Sequence, residues 1–419
     1  MRGAVADDFT GATDLAGNWR NRGLRTAVVL GVPREDSAGL SRQDLSHYDA
    51  LVVAQKIRSI PTEQARDAAS EAGHFLLGLG CTQIYDKYCS TFDSTPDGNI
   101  GPIADVLSDL TGAPRAVVVP QFPDAGRTMY QGHLFVGSDL LNESGMENHP
   151  LNPMRDSSVV RLMAAQTNRR VGKVPLQTVR EGVSALTTAL DRAQQEAHYI
   201  VVDAISNADL AVIAEATQDD VLITGGSGLA LGLPEQNGNT EPLPVIAGKR
   251  VILSGSASVM TRKQVRHGIA HVPSRKVDAQ AIAAGMDSAV AEAAEWAAKE
   301  WAKSPGSSPL IYSVADLDDV EQAKQVSPDA PALVEQFFAL LAVDLSERGA
   351  RQILVAGGET SGAVVEKLGV NLLDLGTELA PGVSWLLGRG TGESYNLVLK
   401  SGNFGQEDLF TSAWAELGK

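Results

Sequence analysis

The chain has 419 residues, enough at roughly 100–200 per domain for two or three domains with their own cores. With 43% hydrophobic and 21% charged residues, 41 Gly and 19 Pro, it is an ordinary globular mixture, which excludes a disordered or collagen-like chain. Its 35 Lys plus Arg against 51 Asp plus Glu leave a net charge of −16, which argues against duplex nucleic acid or an anionic membrane as partner, so any anion must be met by local groups.

In chain order, short β-branched runs recur at Thr26–Leu30, Ala50–Ala54, Gln83–Lys87, Ala116–Val119, 199–203 and 221–224, mostly followed by Ala-rich helical stretches. That alternation predicts a mainly parallel α/β sheet. Residues 225–249 are rich in Gly, Pro and Asn without periodicity and read as a linker. The rhythm then restarts with strands at 251–253, 310–314, 352–356 and 397–400 and helices at 260–269, Met286–Lys303 and 333–350, the last meeting Gly349 as a C-cap. The expected architecture is therefore two α/β domains, 1–230 and 249–419, joined by a linker at 231–248, with a ligand cleft between them. Trp296 and Trp301 are assigned to packing.

Cys81 and Cys89 flank one strand without zinc spacing, which predicts a buried reduced pair and a cytoplasmic protein. No apolar run approaches the ~18 residues of a membrane span, and Asp7 and Asp8 fall where a signal peptide needs its apolar core. The seven histidines form no HExxH arrangement, and no metal ligand is assigned.

Seven polar turns, in five groups, follow predicted strands. The first, residues 6–14, carries Asp7-Asp8; consecutive strand-end residues point to opposite sides, so at most one should face a ligand. The plainer alternative is that Asp8 or Thr10 caps a helix running to about Gly23. The second, residues 87–101, holds a cation, hydroxyls, carboxylates and amides suited to a polyhydroxylated anion: Lys87 for its carboxylate or a transferring phosphate, and Ser90, Asp93, Ser94 and Asn99 for its hydroxyls. A self-bonded polar turn is the alternative. Arg58 after one strand and Arg127 after another put guanidinium groups at the same sheet edge. In the second half, residues 253–258 and 356–362 are strand, glycine turn and helix start, a geometry for phosphate oxygens, and Lys400 precedes a Gly402-Asn-Phe-Gly turn that suits a nucleotide. Neither GxxxxGKS/T nor GxGxxG occurs, and the Asp-x-Asp-x-Thr of an aspartyl phosphatase is absent.

Taken jointly, these segments resemble the four-carbon acid sugar kinase family, ATP-dependent kinases without a P-loop, and the resemblance covers nearly the whole chain. Cys89-Ser-Thr-Phe-Asp-Ser-Thr95, His133-Leu-Phe-Val-Gly137 and Ser144-Gly-Met-Glu-Asn-His-Pro150 look like its 3-oxo-tetronate kinase branch, where a threonate or erythronate enzyme would more often read Lys-Ile-Asp-Ser-Thr-Leu-Arg-Gly. The resemblance implies an N-terminal domain for the sugar acid, with Asp7, Asp8, Arg58, Lys87 and Asp93, and a C-terminal domain for ATP, with Ser256 or Ser258, Gly357, Gly358, Glu359, Thr360 and Gly402. It implies transfer of the γ-phosphoryl group to the 4-hydroxyl of 3-oxo-tetronate with Mg²⁺, Asp8 or Asp93 accepting the proton. Preference for threonate or erythronate, or a non-catalytic sugar-acid sensor, are the alternatives. Because both substrates are anions, Lys87, Arg58, Arg127, Lys400, two helix N-termini and Mg²⁺ are expected to supply the positive potential. A homodimer is compatible with this reading but not required. The family pattern places several more apolar residues before the Asp pair, where only Met1 to Ala6 stand here, so a short first strand or a missing piece is expected.

Overall fold

A computed structural model describes residues 1–33, 42–148, 152–236, 241–327, 329–390 and 392–419. Two compact units result, one of the described residues from 1 to 32 and 42 to 236, the other of Pro33 with the described residues from 241 to 419. No described helix is long and apolar enough to cross a membrane.

In the first unit the strands are β1 (Arg2–Ala6), β2 (Thr26–Leu30), β3 (Ala50–Ala54), β4 (Gln83–Lys87), β5 (Ala116–Val119), β6 (Arg127–Tyr130), β7 (His133–Val136), β8 (Asp139–Leu140), β9 (Val171–Val174), β10 (Tyr199–Val202) and β11 (Leu222–Gly225). They form a parallel sheet in the order β2-β3-β1-β4-β11-β5-β10-β9 and a small antiparallel sheet β6-β7-β8. Helices cover the parallel sheet, so its strands are near-continuous apolar runs: Ala4, Val5, Ala6 and Leu51–Val53 are buried. All five residues of β1 pair with β3 on one side and β4 on the other, because its neighbours are equally short. From β1 the chain first builds outward through β2 and β3, then returns to add β4. The β1/β4 boundary is thus the switch point at which open α/β sheets place ligands.

The second unit holds β12 (Lys249–Ser254), β13 (Ser274–Lys276), β14 (Leu310–Tyr312), β15 (Ala350–Ala356), β16 (Val370–Ala380), β17 (Val383–Gly390) and β18 (Tyr395–Lys400), in the order β13-β14-β12-β15-β18-β17-β16. The first five in that order are parallel, whereas β17 runs antiparallel to both β18 and β16. This antiparallel extension was not foreseen; the register shifts between β16 and β17 blur the alternation that would reveal them. The Met286–Lys303 helix buries Val290, Ala293, Ala294, Ala297 and Trp301 along one stripe, and Trp301 Nε1 donates to the Arg250 carbonyl at 2.8 Å. Trp296 is half-buried. The Ala330–Glu347 helix packs Phe337, Phe338, Leu341 and Leu345, and is capped by Arg348 rather than Gly349, which follows as the positive-φ residue.

The predicted linker is partly structured. Residues Ser227–Gly232 form a buried 3₁₀ helix of the first unit, while Pro244 and Ile246 are tied to the second by Asn396 and Gln352 side chains at 2.7–3.0 Å. Those amides satisfy backbone groups that a coil would leave to water.

Candidate active site

At the β1/β4 edge Asp7 and Asp8 do not point to opposite sides as expected: both carboxylates reach one guanidinium, that of Arg58. Asp7 is 5% exposed and accepts a bidentate pair from Arg58, Nε to Oδ2 at 2.7 Å and Nη2 to Oδ1 at 2.9 Å. Asp8 caps the Phe9–Asn21 helix through Gly11 N at 2.6 Å and also meets Arg58 Nη2 at 2.9 Å. Burial works against the Asp8 anion, but Arg58, Lys87 and the Gly11 N–H outweigh it and hold its carboxyl below the usual range. Burial dominates at Asp7 and pushes it up, whereas the two carboxylates overcome desolvation at Arg58 and keep it charged. Arg58 is therefore a clamp on the Asp pair rather than a free anion receptor.

The Arg58 loop is itself held by Asn99. Its buried amide donates to the carbonyls of Ile57 at 2.8 Å and Ile60 at 2.9 Å and accepts from Thr62 Oγ1 at 3.1 Å, which commits the side chain expected to meet a substrate hydroxyl. Ser94 is likewise buried and accepts from Gln166 Nε2 at 2.8 Å. Asp93 accepts from Thr91 Oγ1 at 2.6 Å, and its backbone N–H donates to Cys89 Sγ at 3.0 Å across a turn that Phe92 enters at φ +51°. Ser90 is half-buried. Asp7, Arg58, Asp86, Tyr88, Ser94 and Asn99 line one water-sized cavity.

Lys87 is 2% exposed; its ammonium donates to the Tyr88 carbonyl at 2.8 Å and bears electrostatically on Asp7, Asp8, Asp14 and Asp86. It is a hub among carboxylates. Arg127 is more open, at the start of β6, with Nη1 on the Ala125 carbonyl and a buried Nε that has no partner among the described residues. Burial pushes its pKa down, opposed by Asp93, Cys89 and Asp14. Three cations thus stand among five carboxylates, and burial pushes Asp7, Asp14 and Asp86 up, which lessens the negative charge. Sequence reasoning missed Asp14, Asp86, Ser227 and Gln166 as members of this edge. The signal was an acidic residue at Asp14 on an otherwise buried helix face, four residues before the buried Asn18.

In the second unit the turns after β12, β15 and β18 converge. Ser258 caps the Val259–His271 helix; Ser256 Oγ and Ser258 Oγ are 3.2 Å apart; and Thr261 Oγ1 donates to the Gly402 carbonyl at 2.7 Å. A Cβ at Gly402 would lie 2.7 Å from Ser258 Oγ and 3.0 Å from Ser256 Oγ, so only glycine fits there. Gly357, at φ +128°, starts the Gly358–Lys367 helix and donates to the Lys400 carbonyl at 2.9 Å. Two helix N-termini and two serine hydroxyls thus share one cradle. It opens on a cavity of about 1080 Å³ lined by Ser256, Ser313, Lys276, Asp319, Gly357 to Thr360 and neighbours. That is a size for a nucleotide. Buried Ser254 Oγ and Ser313 Oγ have no partner among the described residues.

Lys400 departs from its expected place. It is 0% exposed, and its ammonium donates to Thr261 Oγ1 at 2.7 Å, Gln264 Oε1 at 2.8 Å and the Gly402 carbonyl at 2.9 Å. All three hydrogens go to neutral acceptors, so it braces the turn from behind. Burial lowers its pKa to about 7. Lys276 and Asp319, paired at the cavity wall, were not anticipated, because nothing local joins residues 43 apart in sequence.

Comparison with known proteins gives these halves their class. Residues 2–233 match a sugar-binding N-terminal domain family and residues 251–410 a nucleotide-binding C-terminal domain family. A 3-oxo-tetronate kinase of Cupriavidus necator is 43% identical over all of this chain and 97% of its own length, and one of Burkholderia multivorans is 44% identical over 99% and 96%. A solved structure from Salmonella typhimurium superposes at a TM-score of 0.89 with 41% identity over 99% of both chains. The chain belongs to the four-carbon acid sugar kinase family, in its 3-oxo-tetronate kinase branch.

Proposed function

We propose that this protein transfers the γ-phosphoryl group of ATP to the 4-hydroxyl of 3-oxo-tetronate, giving 3-oxo-tetronate 4-phosphate and ADP. The observation that carries the reading is the pairing, in one chain, of a charged strand edge in the sugar-binding unit with a cradle of backbone and hydroxyl donors in the nucleotide-binding unit. Full-length identity to 3-oxo-tetronate kinases selects the acid.

The cradle of Ser256, Ser258, Gly357 and Gly402 receives phosphate oxygens on N–H and O–H donors and helix N-termini. Arg127 and the hydroxyls near Asp93 receive the acid. Phosphoryl transfer asks mainly for positioning and charge neutralisation, which such fixed donors supply without reorganisation. Mg²⁺ fits as an ion held mostly by phosphates and water: no cluster of three acidic, His or Cys ligands occurs among the described residues, and Glu359 on the first turn at the cavity is the carboxylate that would hold it. When bound it neutralises charge on the transferring phosphate. We place the reaction in the cytoplasm, consistent with the free Cys81 and Cys89 thiols, whose pKa values burial raises to about 11 and about 12.

A substrate panel tests the reading. ADP release with ATP and Mg²⁺ should be fastest with 3-oxo-tetronate; faster turnover of threonate or erythronate would reassign the acid, and no turnover with any four-carbon acid would overturn the proposal.

A further inference from the structure

The carboxylates at the sugar-binding edge are not equivalent. Both oxygens of Asp7 are held by Arg58. Asp8 divides its oxygens between Gly11 N and Arg58. Asp93 holds the Thr91 hydroxyl. Asp86 lies inside the sheet, 2% exposed, beside the water-sized cavity.

Asp86 Oδ2 is, like Asp14 Oδ1, buried without a partner among the described residues, so Asp14 differs from Asp7, Asp8 and Asp93 in its unfilled oxygen and from Asp86 in not being enclosed by the sheet. It is only half-buried, on the Phe9–Asn21 helix one turn beyond Gly11, where a Cβ would stand 2.8 Å from Lys87 Nζ. One oxygen accepts from the Ser227 hydroxyl, and the Ser227 carbonyl is pinned by Asn18 Nδ2 at 3.0 Å, so the carboxyl is oriented from both ends of a helical turn. Its other oxygen, Oδ1, is buried without a partner among the described residues. The charged groups that face it are Asp8 from its own helix, Lys87 from the end of β4 and Arg127 from the start of β6. An unfilled acceptor held beside Arg127, the cation given to the acid above, and oriented by Ser227 is the arrangement a general base needs.

We propose that Asp14 receives the proton of the acid's 4-hydroxyl as that oxygen attacks the γ-phosphorus; this rests on the kinase reading above. In the step the C4 oxygen–phosphorus bond forms while the bond from phosphorus to the β-phosphate bridging oxygen breaks. The electron pair leaves with ADP, and the proton passes from the hydroxyl to Asp14 Oδ1 and then to water. Asp8 and Asp93 become positioning residues. Burial raises the Asp14 pKa, against Lys87 and the Ser227 hydrogen bond. A base works deprotonated, so kcat should rise with pH through that raised value.

The test compares wild type, Asp14→Asn, Ser227→Ala and Asp93→Asn with 3-oxo-tetronate, ATP and Mg²⁺. Asp14→Asn should lower kcat roughly 10²–10⁴-fold and flatten the acidic limb of the pH profile, while ADP still raises its unfolding temperature as in wild type. Ser227→Ala, which keeps the carboxyl and removes the bond that favours its anion, should move the acidic limb to higher pH; this arm decides the matter if Asp14→Asn does not fold. An Asp14→Asn enzyme within about threefold of wild type with the limb intact, a limb unmoved in Ser227→Ala, or a limb lost only in Asp93→Asn overturns the assignment. Absence of wild-type turnover would instead overturn the function on which it rests.

Discussion

The two edges proposed to hold the substrates would meet anions in opposite ways. In the first unit the edge is dense in full charges, and most are spent on one another: Arg58 on Asp7 and Asp8, Lys87 among four carboxylates. In the second, the cradle of Ser256, Ser258, Gly357 and Gly402 uses neutral donors and helix ends, and a buried cation behind it, Lys400, has no carboxylate among its hydrogen-bond partners in the described residues. A polyphosphate brings enough charge to reward oriented dipoles. A small sugar acid must be told from its neighbours by groups fixed in place, and ion pairs do the fixing.

The largest effect should come from breaking the clamp in the first unit. Arg58→Met leaves Asp7 buried without its partner and should cost about 3 kcal/mol in urea unfolding. A loss below about 1 kcal/mol would mean that the pair does not organise the edge. Next in size, Arg127→Gln removes the more open cation and should raise the KM for the acid roughly 10–100-fold, the range for a lost charged hydrogen bond. An unchanged KM would show that Arg127 stands outside the acid's reach.

In the second unit the corresponding change is steric. Gly402→Ala pushes a methyl to within 2.7 Å of Ser258 and should weaken ADP binding about tenfold by calorimetry, with the KM for the acid little altered. A further effect concerns pH. Lys400 titrates in the fold at about 7, but near 10.4 when unfolded. Between those values the unfolded chain binds the extra proton, so this group makes the fold gain stability as pH rises from 7 towards 10; below 7 both states carry the charge and the burial cost is complete. The stability of wild type relative to Lys400→Met should therefore grow from pH 6 to pH 9. A flat difference would mean that the buried ammonium does not titrate in this range.

The two edges were also unequally legible in the sequence. The second unit's cradle could be read because its function lies in backbone geometry, and a strand followed by Gly357-Gly358 or Gly402 announces that locally. Strands such as Ala50–Ala54 and Ala116–Val119 were legible for the same reason, as apolar runs ending in polar turns. The first unit's edge was named in its residues but not in their roles. Arg58, Asn99 and Ser94 look like free ligands until the fold brings Asp7, the carbonyls of residues 57–60 and Gln166 against them, over separations of 39 to 72 residues. Asp14 was passed over for the converse reason: its partner Ser227 is 213 residues away, and its empty oxygen is a property of packing alone.

The claim that the acid and the nucleotide are held by separate units is tested most directly by titrating ADP into Arg127→Gln and Gly402→Ala beside wild type. The account predicts wild-type ADP affinity in Arg127→Gln and about tenfold weaker binding in Gly402→Ala. Equal weakening in both, or weakening in Arg127→Gln alone, would contradict it.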